Sequence, residues 1–215
     1  MLKFLGSVTL SVFLSLGIMH ATTATYPTDG LRQVTYRITG DNRESGSGVL
    51  IAPGRLLTAA HVAQNIKNGR INGPDGSRYT YNILKVDEDR DIAVLDVYLD
   101  CPCRPIADAN PDIDSKVTVV GFPLSAFKTL TEGRVQGTAV QPDLKRLVTQ
   151  ISAPVIFGNS GGPVFNKWGE VVGIVSMVSA AGDGMFGGYA VPHIGWVVPV
   201  DTIKDFIKDV PPQKR

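Results

Sequence analysis

Three short motifs in this sequence carry side chains that could act together in nucleophilic catalysis. They are the segments 57–62, 91–95 and 158–163, which contain His61, Asp91 and Ser160. A serine hydroxyl is a weak nucleophile unless a positioned base takes its proton, and histidine, with an ordinary pKa of about 6.5, is a suitable base near neutral pH. A carboxylate on the other ring nitrogen fixes the tautomer and stabilises the imidazolium. We therefore predict that His61 is the general base, Asp91 its orienting carboxylate and Ser160 the nucleophile.

The glycines around Ser160 predict a further part of such a site. With glycine at position 158, the backbone can turn so that the N–H groups of Gly158 and Ser160 point at one spot. Two such donors form an oxyanion hole, in which each donor contributes about 3–4 kcal/mol in related enzymes.

Each of these residues also has a structural interpretation. His61 could be a satisfied core residue and Ser160 a simple turn residue, although the joint presence of all the motifs favours catalysis. Asp87 and Asp89 lie close to Asp91 in the sequence. Only Asp91 directly precedes an apolar run, which would anchor it at the inner end of a strand, so we expect the other two in a solvated turn.

The composition indicates a globular protein built from short strands. The chain has 215 residues, 43% of them hydrophobic and 19% charged, which favours a sizeable core over disorder. Its 23 glycines and 14 prolines suit many turns. The formal net charge of +1 provides no overall field for binding nucleic acid or an anionic membrane, so we expect neither as a partner.

The hydrophobic pattern predicts strands along most of the chain. Loose alternation predicts a strand over 31–39, and the apolar runs 48–52 and 55–59, joined by Pro53-Gly54, predict a hairpin. About twelve short strands, divided by the Pro/Asp/Asn-rich stretch 102–114, predict an all-β fold of two packed six-stranded β-barrels. Helices are expected only after His61 and over 200–210, at the C-terminus.

The first residues and the cysteines bear on the compartment. Lys3, a short apolar run and a small-residue stretch predict a signal peptide over residues 1–24, with an uncleaved membrane anchor as the alternative. Export to the periplasm or the extracellular space follows, with no stable membrane insertion after cleavage.

Cys101 and Cys103 are separated by one residue, so a disulfide between them would be strained. We therefore expect two thiols in a loop, with a redox role as the minor alternative. The sequence shows no metal-ligand cluster, so we expect neither a metal nor a cofactor.

The three motifs, in the order His, Asp, Ser, resemble those of the trypsin-like serine proteases, and most closely the protease domain of bacterial HtrA/Deg proteins. The likeness runs from about Ser45 to Phe206. It implies the chymotrypsin type of double barrel within residues 25–215, with an N-terminal barrel over about 28–110 and a C-terminal barrel over about 111–210.

The resemblance also implies an activity, that of a serine endopeptidase that cuts polypeptides through an acyl-enzyme intermediate. Asn159 stands where digestive trypsins have the aspartate that pairs with a freshly cut N-terminus, so the chain is similar to the HtrA branch, in which loop conformation sets activity. About 50 residues follow Ser160, and we expect no PDZ domain among them. A homo-oligomer is possible. The alternative is a catalytically silent or latent peptide-binding, chaperone-like module on the same fold.

The same resemblance identifies a specificity pocket. The segment 173–178 matches the trypsin-like stretch whose edge pairs with the substrate backbone, and Val178 replaces a glycine there, so its side chain would narrow the entrance. The substrate-binding residues expected are Pro154, Val155, Ile156, Ser176, Met177, Val178 and Gly195. This pocket lacks a carboxylate, which predicts cleavage after small or medium aliphatic residues. Two alternatives remain: these residues belong simply to the core, or Asp183 reaches the pocket and favours a basic residue.

Overall fold

The computed structural model describes residues 28–41, 44–73, 75–100, 102–142, 145–181 and 189–210. The predicted signal peptide, residues 1–24, lies outside the described residues. Within the described ranges, no helix is both long and apolar enough to cross a membrane.

The N-terminal half is a seven-stranded antiparallel sheet. Its strands are β1 (Thr35–Thr39), β2 (Ser45–Ala52), β3 (Arg55–Thr58), β4 (Arg70–Asn72), β5 (Arg78–Tyr79), β6 (Tyr81–Asp87) and β7 (Ile92–Val97). They are hydrogen-bonded in the order β5-β4-β1-β2-β3-β7-β6. The predicted hairpin is confirmed, since β2 and β3 pair with Leu50 opposite Leu56 and Gly54 takes the left-handed conformation that the turn needs, with φ +68°.

The C-terminal half is a closed barrel of six strands. They are β8 (Lys116–Gly121), β9 (Thr129–Gln141), β10 (Arg146–Ile151), β11 (Pro163–Phe165), β12 (Val171–Ala181) and β13 (Tyr189–Pro199). The order around the barrel is β10-β13-β12-β11-β8-β9. The all-β class with a short C-terminal helix is confirmed. The N-terminal half differs from the expected six-stranded barrel. It is a half-barrel sheet whose end strands β5 and β6 are not paired with each other, and the two-residue strand β5 is its additional strand.

Three helices flank the strands: α1 (Thr28–Gln33), α2 (Ala60–Asn65) and α3 (Val200–Ile207). The strand predicted over 31–39 is wrong in its first part, where α1 lies. Burial alternates only from Tyr36 onwards, after the buried Val34 and Thr35, and Leu31 is a buried residue of the helix instead.

Three buried clusters hold the molecule together. One fills the N-terminal sheet and one the C-terminal barrel. The third joins the two halves, because it combines Leu57 of β3 with Phe165 of β11 and Phe206 of α3. The faces of the two halves that carry the site are thus fixed relative to each other by apolar packing.

The expectation of two free thiols is wrong. Cys103 is disulfide-bonded, and the sequence holds one other cysteine, Cys101. Cys103 is half-buried and packs against the N-terminal core.

The shared cluster predicts that α3 contributes to global stability. Phe206 is fully buried in it, so Phe206→Ala should lower the free energy of unfolding by about 3–5 kcal/mol, because it leaves a cavity between the halves. Phe127→Ala is the matched control, since that ring is 89% exposed and its loss should cost less than about 0.5 kcal/mol. Urea unfolding measures both. Equal values for the two variants would show that α3 is not part of the cooperative core.

Candidate active site

His61 lies in the first turn of α2, directly after strand β3. Ala59 and Ala60 are buried, and their small side chains let the start of the helix pack closely against the sheet. The imidazole itself is 42% exposed, so it faces both the protein and the solvent. A base in this position is accessible to a substrate.

Asp91 is the carboxylate that the structure brings to His61. The Nδ1 atom of His61 lies 2.9 Å from Oδ1 and 3.1 Å from Oδ2 of Asp91, and the His61 backbone N–H donates to Oδ1 at 3.1 Å. Asp91 adopts the left-handed conformation, with φ +54°, at the end of the turn before β7. Asp87 instead forms an ion pair with Arg90, and the side chain of Asp89 is exposed.

The surroundings of Asp91 favour its ionised form. Burial opposes ionisation, but the hydrogen bonds and charge of His61 and a hydrogen bond from Ser176 outweigh it and hold the pKa of Asp91 below its ordinary value. Because Nδ1 faces a carboxylate, it carries the proton of a neutral ring, which leaves Nε2 as the basic nitrogen. The arrangement can therefore accept a proton on the side away from Asp91.

Ser160 lies in a tight turn that only glycines allow. Gly158 and Gly161, on either side of it, have φ +95° and +80°. A Cβ atom on Gly161 would collide with Thr58 Oγ1 and Ser47 O, both in the N-terminal sheet. The turn thus packs against the end of β3, one residue before the helix that carries His61. No hydrogen bond of the described residues joins Ser160 Oγ to His61 Nε2; such bonds are often long in unliganded sites.

Ser47 on β2 holds this turn in place. Its N–H donates to Ser160 O at 2.8 Å, and its hydroxyl donates to Gly158 O at 2.8 Å. The same hydroxyl accepts from Phe122 N–H at 3.1 Å, and the Ser47 carbonyl accepts from Thr58 Oγ1 at 2.7 Å. One buried residue therefore links the sheet, the serine turn and the loop after β8.

The orientation of the Gly158 N–H follows from a hydrogen bond on the preceding peptide. Phe157 O accepts from Leu124 N–H at 2.7 Å. In a planar trans peptide the C=O and N–H point in opposite directions, so the Gly158 N–H points away from the loop that contains Leu124. None of the hydrogen bonds of the described residues uses the N–H of Gly158 or Ser160. Both donors are thus available to an oxyanion.

The far side of Asp91 holds two residues, one of which sequence reasoning missed. Ser176 Oγ is fully buried and donates to Asp91 Oδ2 at 2.5 Å, so the side chain of Ser176 faces the carboxylate. The predicted pairing of Ser176 with a substrate involves only its backbone. Arg146 donates to Ser176 Oγ at 2.7 Å and lies 3.7 Å from Asp91 Oδ2. Arg146 is separated from Asp91 by more than fifty residues, and no local pattern in the sequence distinguishes it.

The residues of the predicted pocket fall into three groups. Val155 is fully buried in the barrel core, and a Cβ atom on Gly195 would lie 2.6 Å from its Cγ2 atom, so these two pack together. Pro154 and Ile156 are half-buried. Met177 and Val178 are described by their backbone alone. In the pairing of β12 with β13, Met177 lies opposite Trp196 and Val178 opposite Gly195. In the part of the chain that the structure describes, no group of three or more His, Cys, Asp or Glu could hold a metal ion.

A family model described as a trypsin-like peptidase domain matches residues 46–174, which include His61, Asp91 and Ser160. The chain belongs to the trypsin-like peptidase family. Within this family, the resemblance to the HtrA/Deg proteases is confirmed by the curated relatives.

Serine protease HTRA1 of Xenopus tropicalis is 32% identical over 178 residues, which cover 77% of this chain and 36% of the relative. A probable periplasmic serine endoprotease, DegP-like, of Pseudomonas savastanoi is 29% identical over 170 residues, which cover 77% of this chain and 34% of the relative. The chain thus spans about a third of the length of these relatives. Among solved structures, the active form of the Rv3671c protease from M. tuberculosis shares the fold, with a TM-score of 0.74, 21% identity and 96% of each chain covered.

In a trypsin-like peptidase, the orientation of the Gly158 N–H should determine turnover. Gly158→Ala places a Cβ atom against Phe122 O in a left-handed conformation, so the peptide must move and one oxyanion donor is lost. We expect kcat to fall by about 10²–10³-fold with a smaller change in KM, measured by steady-state peptide hydrolysis.

Gly76→Ala is the control for backbone strain. Gly76 has φ +83°, but a Cβ atom there meets nothing within 4 Å. Both variants should lose some stability, because both force alanine into a left-handed conformation. A similar loss of kcat in both would contradict the assignment of Gly158 to an oxyanion hole.

Proposed function

We propose that the protein is an exported serine endopeptidase that hydrolyses peptide bonds through His61, Asp91 and Ser160. The Ser160 hydroxyl attacks the carbonyl carbon of the scissile bond while His61 Nε2 takes its proton. The N–H groups of Gly158 and Ser160 stabilise the oxyanion of the tetrahedral intermediate. His61 then protonates the leaving amine, and water, activated by the same imidazole, hydrolyses the acyl-enzyme.

The observation that carries this proposal is the pairing of His61 with a buried Asp91, next to a glycine-bounded turn that bears Ser160. Asp91 contacts both the ring nitrogen and the backbone N–H of His61, which fixes the direction of the ring. The alternative, that His61 is only a core residue, does not account for its partly exposed imidazole. Nor does it account for the left-handed glycines that shape the neighbouring Ser160 turn. Family membership supports the same chemistry.

Three finer features belong to the proposal. The signal peptide over residues 1–24 directs export, and the relative from Pseudomonas savastanoi is named as a probable periplasmic protease. Residues 25–215 form the protease domain, with the division into barrels near residue 110. The substrates are polypeptides.

An active-site probe tests the nucleophile. A fluorophosphonate should label the wild-type protein and Ser115→Ala, a control serine in the loop before β8, but not Ser160→Ala. Ser160→Ala should abolish peptide cleavage and leave the unfolding midpoint within about 3 °C, because it removes one partly exposed hydroxyl. Labelling of Ser160→Ala, or turnover within tenfold of wild type, would refute the assignment. A wild-type chain that folds but takes no label would favour the latent peptide-binding alternative.

The pocket predicts which residue precedes the cut. Its proposed walls are Pro154 and Ile156 on one side and Val178 and Gly195 on the other, all uncharged, whereas Val155 belongs to the barrel core. Small and medium aliphatic residues should be preferred before the cut, and each methylene too many or too few should change the free energy of transition-state binding by about 1–3 kcal/mol. Charged residues should be cleaved after still more slowly, because their side chains would lose hydration without gaining a partner in the pocket.

A peptide library with one varied position reads this preference directly. Val178→Gly should extend acceptance towards Phe, since it restores the glycine of the trypsin-like pattern. Cleavage mainly after Lys or Arg would overturn the aliphatic pocket and favour a role for Asp183.

A further inference from the structure

A second cation lies on the carboxylate that orients the proposed general base. His61 approaches Asp91 from one side, with Nδ1 2.9 Å from Oδ1. On the other side, Arg146 Nη2 lies 3.7 Å from Oδ2 and donates to Ser176 Oγ, which in turn donates to Oδ2. A short chain of contacts therefore runs from Arg146 through Ser176 and Asp91 to His61.

The guanidinium of Arg146 is poorly hydrated where it lies. Its side chain is 13% exposed, that of Asp91 is 8% exposed, and Ser176 is fully buried. The Nε atom of Arg146 is buried without a hydrogen-bond partner among the described residues. Interactions between charges are screened less in such surroundings than at the surface, so the cation acts strongly on the groups around it.

Other charged groups around the pair are occupied elsewhere or face away. On the elements packed around His61 and Asp91, strands β2 and β12 contribute no charged side chain up to residue 176. The remaining charged residues of the described neighbourhood are Arg55, Lys85, Asp87, Glu88, Asp89, Arg90, Asp96 and Arg146.

Most of these charged groups contact partners other than the Asp91 carboxylate. Arg90 pairs with Asp87 and Asp205, and Arg55 pairs with Asp96. Lys85 donates to Phe206 O, and Glu88 accepts from Gln64. Asp89 is exposed and offers Arg146 only its backbone carbonyl, at 3.5 Å. Besides His61, Arg146 is thus the one cation of the described residues within 4 Å of the Asp91 carboxylate.

A carboxylate that lies between two cations stabilises each of them less than it would stabilise a single cation. The positive charge of Arg146 repels a proton arriving on His61, and it neutralises part of the Asp91 charge that would stabilise the imidazolium. Both effects favour the neutral imidazole, the form that can take the Ser160 proton. The hydrogen bond from Ser176 to Oδ2 also fixes the orientation of the carboxylate that receives His61 Nδ1.

We propose that Arg146 is a positioning residue of the triad, which acts on His61 through Ser176 and the Asp91 carboxylate and so sets the pH range in which the protease works. The inference rests on the proposed function, since it assigns a regulator to the same base. It makes Arg146 an electrostatic part of the site although it does not touch the substrate.

The first test is the pH profile of kcat/KM in variants of this side chain. Arg146→Gln removes the charge but keeps an amide donor for Ser176, so the acid limb should move to higher pH by about one unit. At a pH well below the limb, this corresponds to about a tenfold loss of kcat/KM. Arg146→Lys, which restores a cation, should keep the limb near its original position. Lys145→Met is the matched control, because it removes an exposed charge from the neighbouring position and should leave the profile unchanged.

The second test needs no turnover, so it separates this inference from the proposed function. In a Ser160→Ala background, NMR titration of the imidazole resonances should show the His61 midpoint about one pH unit higher with Arg146→Gln than without it. The resonance of His193, whose Nδ1 lies 3.3 Å from Ser152 O, serves as the internal control. His61→Ala identifies the resonance.

The outcomes distinguish the two proposals. A higher His61 midpoint in a chain that does not cleave peptides would support the role of Arg146 and overturn the proposed function. An unchanged midpoint in a chain whose wild type does cleave would overturn the role of Arg146 alone. If Arg146→Gln does not fold, Arg146→Met replaces it, and a midpoint equal to that of the Lys145→Met control would again refute the proposal.

Discussion

The candidate site depends on one buried residue, Ser47, which has every polar atom in use across the junction between the halves. Its backbone and hydroxyl contact the serine turn at Ser160 and Gly158, while its carbonyl receives Thr58. A buried donor or acceptor left without a partner costs about 1–3 kcal/mol, so the turn cannot move without leaving several groups unsatisfied. The position of Ser160 relative to His61 is therefore a property of the interface between sheet and barrel.

Glycines make this interface possible at close range. Gly161 and Gly162 lie where a side chain would meet backbone atoms of both halves, including Ser47 O and Val120 O. Since only glycine allows such approach, the sequence around Ser160 is dictated by packing as much as by chemistry. The same backbone that brings the strands together also leaves the N–H groups of Gly158 and Ser160 without internal acceptors.

The sequence allowed prediction of those parts of the site that are local. His61 and Ser160 lie in short motifs with recognisable neighbours, and Asp91 could be preferred over Asp87 and Asp89 because an apolar strand follows it directly. Val34, Tyr36 and Ile38 likewise fixed the strand that became β1, whereas Leu31 was assigned to it wrongly because one apolar residue carries no periodicity.

Long-range contacts were beyond this reasoning. Arg146 begins strand β10, and its sequence suggests an exposed charge. Only the packing of the C-terminal barrel against the N-terminal sheet brings it to Asp91. The disulfide bond of Cys103 was missed for a different reason. The strain expected for a disulfide between cysteines one residue apart led to the prediction of free thiols. The two-residue strand β5 is too short to show any alternation.

The site is divided between two halves that each form a separate sheet, with His61 and Asp91 on one and Ser160 on the other. Neither half alone holds both a base and a nucleophile. A chain that has opened one of its halves would thus lose the proximity of His61 and Ser160 on which the proposed function depends. Assembly of the site therefore requires that α3, through Phe206, has closed the cluster shared by the two halves.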